Sequence, residues 1–315
     1  MIAGMNISLD SSQIMKIWLK RLAAVTLTAA VLFVISLAYA YFIEPHRLVV
    51  NQKQIIIKGW NPTFDGLRVA AISDIHAGSN GVNEAKLRQI VETTNALDPD
   101  VIVLLGDYVS QERSDAPIRQ RSLKMDPAVI ATNLKGFRAK YGVFVIFGNH
   151  DEWYGAKEVA SSFSGVGYKV LNGELAIISK DGQQLRILGL KDHTMIQTWE
   201  AYSENARNIL ASTEGTGDVL VLQHSPDVLE TITGDLAISN DLKLMLAGHT
   251  HGGQIWLPVF GSPVVPSSYG QKYAFGHVKD RGLDMFVTTG IGTSILPFRF
   301  LVPPEIAVVT IRSEF

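Results

Sequence analysis

Hydrophobic positions along this chain take two forms. The first is one unbroken stretch, Leu22 to Ile43, 22 residues without a charged side chain. A bilayer-crossing helix needs about 20 such residues, so the stretch predicts a transmembrane helix. Glu44-Pro45 closes it, because the residue before a proline avoids the helical region. Ala38-Tyr39-Ala40 has the small-x-small form of a signal-peptidase site, but the apolar core of a cleavable signal usually runs only about 7–15 residues. The expectation is therefore an uncleaved anchor. Lys16, Lys20 and Arg21 precede the span and place the N-terminus in the cytoplasm, with the remainder of the chain outside it. Arg47, Lys53 and Lys58 follow the span and make that bias modest. The expected organisation is a tail at 1–21, an anchor at 22–43 and a globular domain at 44–315.

The second form is a series of short apolar runs separated by segments of helical spacing. Val49–Ile57, Gly66–Ile72, Val101–Leu105, Gly142–Phe147, Val219–Leu222, Leu242–Ala247, Met285–Thr289 and Ile306–Ile311 read as strands. Leu175–Ser179 and Leu185–Leu190 flank Asp181-Gly182 and predict a hairpin. Asn83 is placed to cap a helix carrying Leu87, Ile90 and Val91 on one face. Further helices are expected through Val129 and Leu134 and over Ala156 to Phe163. Strands alternating with helices predict an α/β arrangement in which helices flank sheets.

Composition narrows the chemistry. A net charge of -2 gives no broad basic surface, so a nucleic-acid partner is not expected. The chain has no cysteine, which excludes disulfides, thiolate metal sites and cysteine nucleophiles. Any metal must then be held by His, Asp, Glu or Asn.

Candidate ligands fall in a pattern. Five of the apolar runs end in one: Asp74 and His76, Asp107, Asn149, His224, and His249 with His251. In open α/β folds, ligands bind just beyond the carboxyl ends of the strands. Of the eight histidines, five (His76, His150, His224, His249, His251) lie at these run ends, where random placement would scatter them. Gly106, Gly148 and Gly248 each precede the polar residue, as a sharp backbone turn requires.

The order Asp-x-His, Gly-Asp, Gly-Asn-His-Asp, His and Gly-His-x-His resembles the calcineurin-like metallophosphoesterase superfamily, over roughly Leu67 to Ile311. The Gly-His-Thr-His-Gly-Gly-Gln block, the N-terminal anchor and Pro303-Pro304-Glu305-Ile306 resemble its membrane-anchored bacterial branch of phosphodiesterases and UDP-2,3-diacylglucosamine pyrophosphatases. The resemblance implies a four-layer αββα sandwich of two mixed sheets. It also implies two divalent cations, Mn, Fe or Zn. Asp74, His76 and His251 would hold one, Asn149, His224 and His249 the other, and Asp107 would bridge them. A hydroxide shared by the two cations would attack phosphorus.

His150 matches a family histidine that faces the leaving group or a phosphate oxygen and acts in proton transfer or charge stabilisation. Asn149 and His150 are thus also candidates for contact with the substrate. In many relatives a carboxylate three residues after the bridging aspartate orients this histidine. Here that position is Ser110, which leaves another acid, such as Asp151, or a weaker electrostatic partner. Asp151 itself reads equally as a residue orienting a ligand and as a helix cap. Arg299 is a candidate grip on a substrate phosphate, against a plain surface arginine. Lys191-Asp192-His193 reads as a loop that would line the cleft at most.

Ile255–Phe260 is apolar on both faces. It reads either as core or as an exposed loop that holds an acyl chain or dips into the membrane interface. With the anchor, this points to a phosphoester of a lipid or lipid-linked precursor such as UDP-2,3-diacylglucosamine. A nucleotide-linked lipid would be met on the cytoplasmic face, against the orientation that the flanking charges favour. The rival expectations are a hydrolase of soluble phosphoesters and a non-catalytic metal-binding interaction domain.

Overall fold

The computed structural model describes residues 10–212 and 215–314. Helix α1 (Ser11–Phe42) begins eleven residues before the expected span, because nothing in Ser11–Arg21 breaks a helix that the apolar stretch propagates. Within it only Ala40 is buried, Ser36 and Tyr39 are part-buried, and the remaining residues are exposed. It is long and apolar enough to cross a membrane.

Five strands follow in the first half: β1 (Val49–Ile57), β2 (Leu67–Ile72), β3 (Val101–Leu104), β4 (Val143–Val145) and β5 (Lys169–Val170). The second half supplies β6 (Glu174–Lys180), β7 (Gln183–Gly189), β8 (Val219–Leu222), β9 (Leu242–Ala247), β10 (Gly276–Asp280) and β11 (Leu283–Val287). The last strand, β12 (Glu305–Ser313), returns to the first half. Two six-stranded sheets result, ordered β1-β12-β2-β3-β4-β5 and β10-β11-β9-β8-β7-β6. Both are mixed. β2 through β5 run parallel while β12 lies antiparallel to β2. β7, β8, β9 and β11 run parallel between the antiparallel edges β6 and β10.

Six helices of the globular part are α2 (Glu84–Ala96), α3 (Pro127–Leu134), α4 (Asn149–Tyr154), α5 (Ala156–Gly165), α6 (Trp199–Ser212) and α7 (Val228–Thr233). The period-2 alternation of each strand explains the layers. Val69, Ala71, Val101 and Val103 meet Leu220, Leu222, Leu244 and Leu246 in a core between the sheets. Their neighbours Ala70, Ile72, Ile102 and Leu104 point the other way, to Leu87, Ile130 and Phe163 of α2, α3 and α5. Val219, Val221, Met245 and Ala247 likewise face Tyr202, Leu210 and Ile232 of α6 and α7. Strands covered on both sides must be apolar on both sides, which is why they read as continuous hydrophobic runs. The architecture is the expected four-layer arrangement of helices, two mixed sheets and helices. Asn83 caps α2 as expected, its side chain accepting from Lys86 N at 2.9 Å.

Candidate metal centre

The parallel strands β2, β3, β4, β8 and β9 all discharge their C-terminal loops at one end of the sandwich. The loops are tied to one another through the backbone. Asp74 N donates to Gly106 O (2.9 Å), His76 N to Asp107 O (2.9 Å), and Gly248 N to His224 O (2.9 Å). His249 N reaches Asp74 Oδ2 at 2.9 Å. A Cβ added at Gly148 would lie 2.2 Å from Asp107 Oδ1, and one at Gly248 2.0 Å from Ser73 Oγ. The glycines therefore set how closely the loops approach.

Backbone strain concentrates here. Asp74 (φ 52), His76 (φ 42), Asp107 (φ 57), His249 (φ 71) and His251 (φ 51) all occupy the left-handed region. Each such residue costs on the order of 1–3 kcal/mol and persists only where the surroundings over-determine it. Five of the seven predicted ligands carry this strain, and the inter-loop bonds above enforce it.

The side chains gather in three groups, of which one, His76 with Asp107 and His150, overlaps the other two. Asp74, His76 and His251 place ligand atoms within 4.8 Å of one another, as do Asp107, His224 and His249. Between the groups, Asp107 Oδ2 lies 3.5 Å from His76 Nε2 and 3.3 Å from His224 Nε2. Asp74 Oδ1 lies 3.3 Å from His251 Nε2 and 3.9 Å from His224 Nε2. His76 Nε2 and His251 Nε2 face each other at 3.2 Å. Asn149 sits between Gly148, against Asp107, and His150, whose N–H donates to Asp107 Oδ1 at 2.9 Å.

Buried polar atoms are normally paired. Here Asp74 Oδ1, Asn149 Oδ1 and His224 Nε2 are buried without a hydrogen-bond partner. His224 Nδ1 meets Leu105 O at 2.8 Å, which makes it the donor and turns the Nε2 lone pair inward. Imidazole nitrogens and carboxylate or amide oxygens of this kind fit divalent cations such as Mn, Fe or Zn.

The electrostatics of His76, His249 and His251 agree with that fit. Burial, with the neighbouring imidazole of His224, brings His249 down to about 4. Burial also brings His251 down to about 4 and holds His76 well below its ordinary value. These three rings are neutral at pH 7, with lone pairs free for a cation. Burial opposes ionisation of Asp107, but His224 and His150 outweigh it and hold the carboxyl well below the usual range. His224 is driven up, against burial, chiefly by Asp107.

Four neighbours differ from or sharpen the sequence expectations. Asp151 is fully buried, and its carboxylate accepts from the amides of Asp107 (2.7 Å), Tyr108 (2.9 Å) and Gly148 (3.0 Å). It thus stands at the third position of α4, whose N-cap is Gly148 rather than Asp151, and holds the Asp107 loop through its amides. Burial and the Asp107 charge push it up to about 8, against the pull of those amides.

His150 is partnered by Gln111: Nδ1 lies 2.7 Å from Gln111 Oε1, and Gln111 Nε2 donates to His150 O at 3.3 Å. Neither Ser110 nor Asp151 fills that role. Gln111 was not anticipated, because its polar segment carries no periodic signal and meets His150 only in the fold.

Arg299 is not the plain surface arginine of the sequence reading. It is 0% exposed and donates to the carbonyls of Gly292 (2.7 and 3.0 Å), Thr289 (2.8 Å) and Val302 (3.0 Å). It clamps the loop whose Gly292 N donates to Asp74 O at 2.6 Å. His193 lies beside the ligand cluster. Its ring is 6.2 Å from His249 and stacks on Trp199, while Trp153 stands 5.0 Å from His150.

Residues 67–253 match the family described as calcineurin-like phosphoesterase. The chain is 31% identical over 278 residues to the metallophosphoesterase YkuE of Bacillus subtilis, covering 87% of this chain and 89% of that protein. It is 26% identical over 214 residues to phosphodiesterase YaeI of Escherichia coli, covering 67% and 70% respectively. With a zebrafish (Danio rerio) relative named as a transmembrane protein with a metallophosphoesterase domain it shares 26% over 277 residues, 85% of this chain and 58% of that one.

Proposed function

This chain belongs to the calcineurin-like phosphoesterase family and is a metal-dependent phosphoester hydrolase, and on that premise we propose that it cleaves a lipid-linked phosphodiester or pyrophosphate at a two-cation centre. The observation that carries the reading is the convergence of Asp74, His76, His224, His249 and His251 around Asp107, with three buried atoms, Asn149 Oδ1 among them, otherwise unpaired. In the reading proposed, Asp74, His76 and His251 hold one cation, Asn149, His224 and His249 the second, and Asp107 both. Such cations, when bound, neutralise phosphate oxygens and lower the pKa of water towards about 7.

The remaining chemistry belongs to the chain. Asp107 supplies the charge that keeps two cations together. Asp151 fixes the Asp107 backbone by accepting its amide. His150, oriented by Gln111, is placed to stabilise the charge on a phosphate oxygen or to give a proton to the leaving group. Trp153, His193 and Trp199 stand beside the site and offer flat faces to a headgroup.

Helix α1 supports membrane anchoring, in keeping with the zebrafish relative's name. Packing at its end supports an uncleaved anchor: Ala40 is buried, its carbonyl accepts from Arg299 N at 3.0 Å, and the Tyr39 ring meets Phe300. Cleavage after Ala40 would sever those contacts. The lipid-linked substrate rests on this anchor together with the exposed loop at Val259-Phe260.

The test is a hydrolysis screen of purified, metal-loaded protein in detergent. Lipid-linked diesters and pyrophosphates, UDP-2,3-diacylglucosamine among them, are compared with bis(p-nitrophenyl) phosphate and mononucleotides. Preferential turnover of the lipid-linked set is expected. A strong preference for soluble esters contradicts the lipid assignment, and no turnover at all contradicts the hydrolase.

A further inference from the structure

The end of α1 is fixed to the globular part rather than tethered to it. Besides the Ala40–Arg299 bond, Asn80 Nδ2 donates to both Tyr41 O and Pro297 O at 2.8 Å, and Lys86 Nζ donates to His46 O at 2.8 Å. Tyr41 packs edge-on against Phe298. The helix therefore leaves the fold at the loop 294–301. That loop is hydrogen-bonded to a second one: Ser294 N donates to Gln254 Oε1 (2.6 Å), Phe300 N to Gln254 O (2.9 Å), and Trp256 N to Phe300 O (2.9 Å).

Both loops hold large apolar side chains out of the core. Val259 is 96% exposed, Ile295 86%, Phe260 75% and Val264 74%. Val259 (φ 76) and Ile295 (φ 63) are β-branched residues in the left-handed region, which such side chains almost never adopt. A single exposed leucine needs no explanation, but here four large apolar side chains stand out on two loops that are hydrogen-bonded to each other. Here the chain accepts backbone strain at the two residues that protrude most. Both loops also begin at the metal centre. Gln254 follows His251 by three residues, and Gly290 and Gly292 pack on Asp74 and His76.

Helix exit, apolar patch and metal centre thus share one side of the molecule. We propose that the loops around Val259-Phe260 and Ile295-Leu296 seat in the bilayer interface beside the exit of α1, so that the metal centre opens at the level of the lipid headgroups. This rests on reading α1 as a membrane anchor and deepens the lipid assignment. The occupant is the interfacial zone of the bilayer, where apolar side chains reach the boundary between headgroups and acyl chains. The helix supplies the argument: it already brings that side of the protein to the membrane surface.

The absence of cysteine permits a clean test, since each introduced cysteine is unique. Full-length V259C, I295C, V31C and I56C are labelled with bimane. They are reconstituted into phosphatidylethanolamine–phosphatidylglycerol vesicles with or without lipids carrying a nitroxide near the top of the acyl chain, for the labels at 259, 295 and 56, or near its end, for the label at 31. Val31 lies within α1, and Ile56 is an exposed apolar residue near the end of β1 remote from the centre. Labels at 259, 295 and 31 should lose most of their fluorescence to the nitroxide lipid, and the label at 56 should not. Quenching at 31 but not at 259 or 295 overturns the seating of the loops and leaves the anchor standing. Absence of quenching at 31 overturns both. A blue shift at 259 that grows with protein density and ignores the nitroxide means a second copy covers the patch, which also overturns the proposal. In parallel, V259S/F260S/I295S should keep its rate on bis(p-nitrophenyl) phosphate and lose rate on vesicle-embedded phosphodiesters. Equal rates on the vesicle substrate would contradict the headgroup-level opening without touching the hydrolase assignment.

Discussion

Gln111 holds His150 from two directions: its amide oxygen lies 2.7 Å from the ring Nδ1, and its amide nitrogen donates to the His150 carbonyl. A neutral side chain thus stands where a carboxylate is the more familiar partner of a catalytic histidine. The ring is fixed, its far nitrogen is turned away from Gln111, and no buried negative charge is added beside Asp107.

If Gln111 acts through His150, its loss should be hidden once His150 is gone. Gln111→Ala is expected to lower kcat by about 10–100-fold, the usual effect of removing the partner that orients a site residue. The Q111A/H150A double variant should be no slower than H150A. Additive losses in steady-state kinetics would show that Gln111 works elsewhere.

His150→Ala should lower kcat by about 10²–10⁴-fold, the range for a group that transfers or stabilises a proton. Metal content, measured by plasma mass spectrometry, should be unchanged. Loss of bound metal would instead make His150 a ligand.

Gly148 and Gly165 separate packing at the centre from packing elsewhere. A Cβ at Gly148 meets Asp107 Oδ1, whereas one at Gly165 meets nothing within 4 Å. Gly148→Ala should cost about 1–3 kcal/mol by overpacking and weaken metal binding. Gly165→Ala, near the end of α5, should be neutral or stabilise by up to about 1 kcal/mol. Thermal melts with and without chelator read both effects; equal behaviour of the two variants would contradict the close-approach account.

Arg299→Met removes the donors to three buried carbonyls, each costing on the order of 1–3 kcal/mol when left unpaired. A marked fall in Tm is expected, with little change in KM for a small soluble diester. A raised KM at unchanged Tm would return Arg299 to the role of a phosphate grip.

Much of this was legible in the chain because the informative strands are buried on both faces. Val101–Leu104 and Val219–Leu222 have no polar position to blur their ends, so the Gly106-Asp107 and Gln223-His224 boundaries stand out. What escaped depends on distant partners. Arg299 looks like any arginine beside a proline until Thr289, Gly292 and Val302 fold around it. Gln111 lies at an isolated bridge to Leu123 inside a polar segment with no periodicity. The run Ile255–Phe260 carried two readings that composition cannot separate, and the exposure of Val259 and Phe260 removes the core reading for these two residues. Helix α6 was not expected, although Tyr202, Ala206 and Leu210 bury one face at helical spacing.

The central claim is that Asp107 joins two cations held by loops from both sheets. Anomalous diffraction from crystals of the manganese-loaded chain tests it most directly. The account predicts two peaks about 3.5–4 Å apart, one beside Asp74, His76 and His251, the other beside Asn149, His224 and His249, with Asp107 touching both. A single peak, or two peaks that Asp107 does not join, would contradict it.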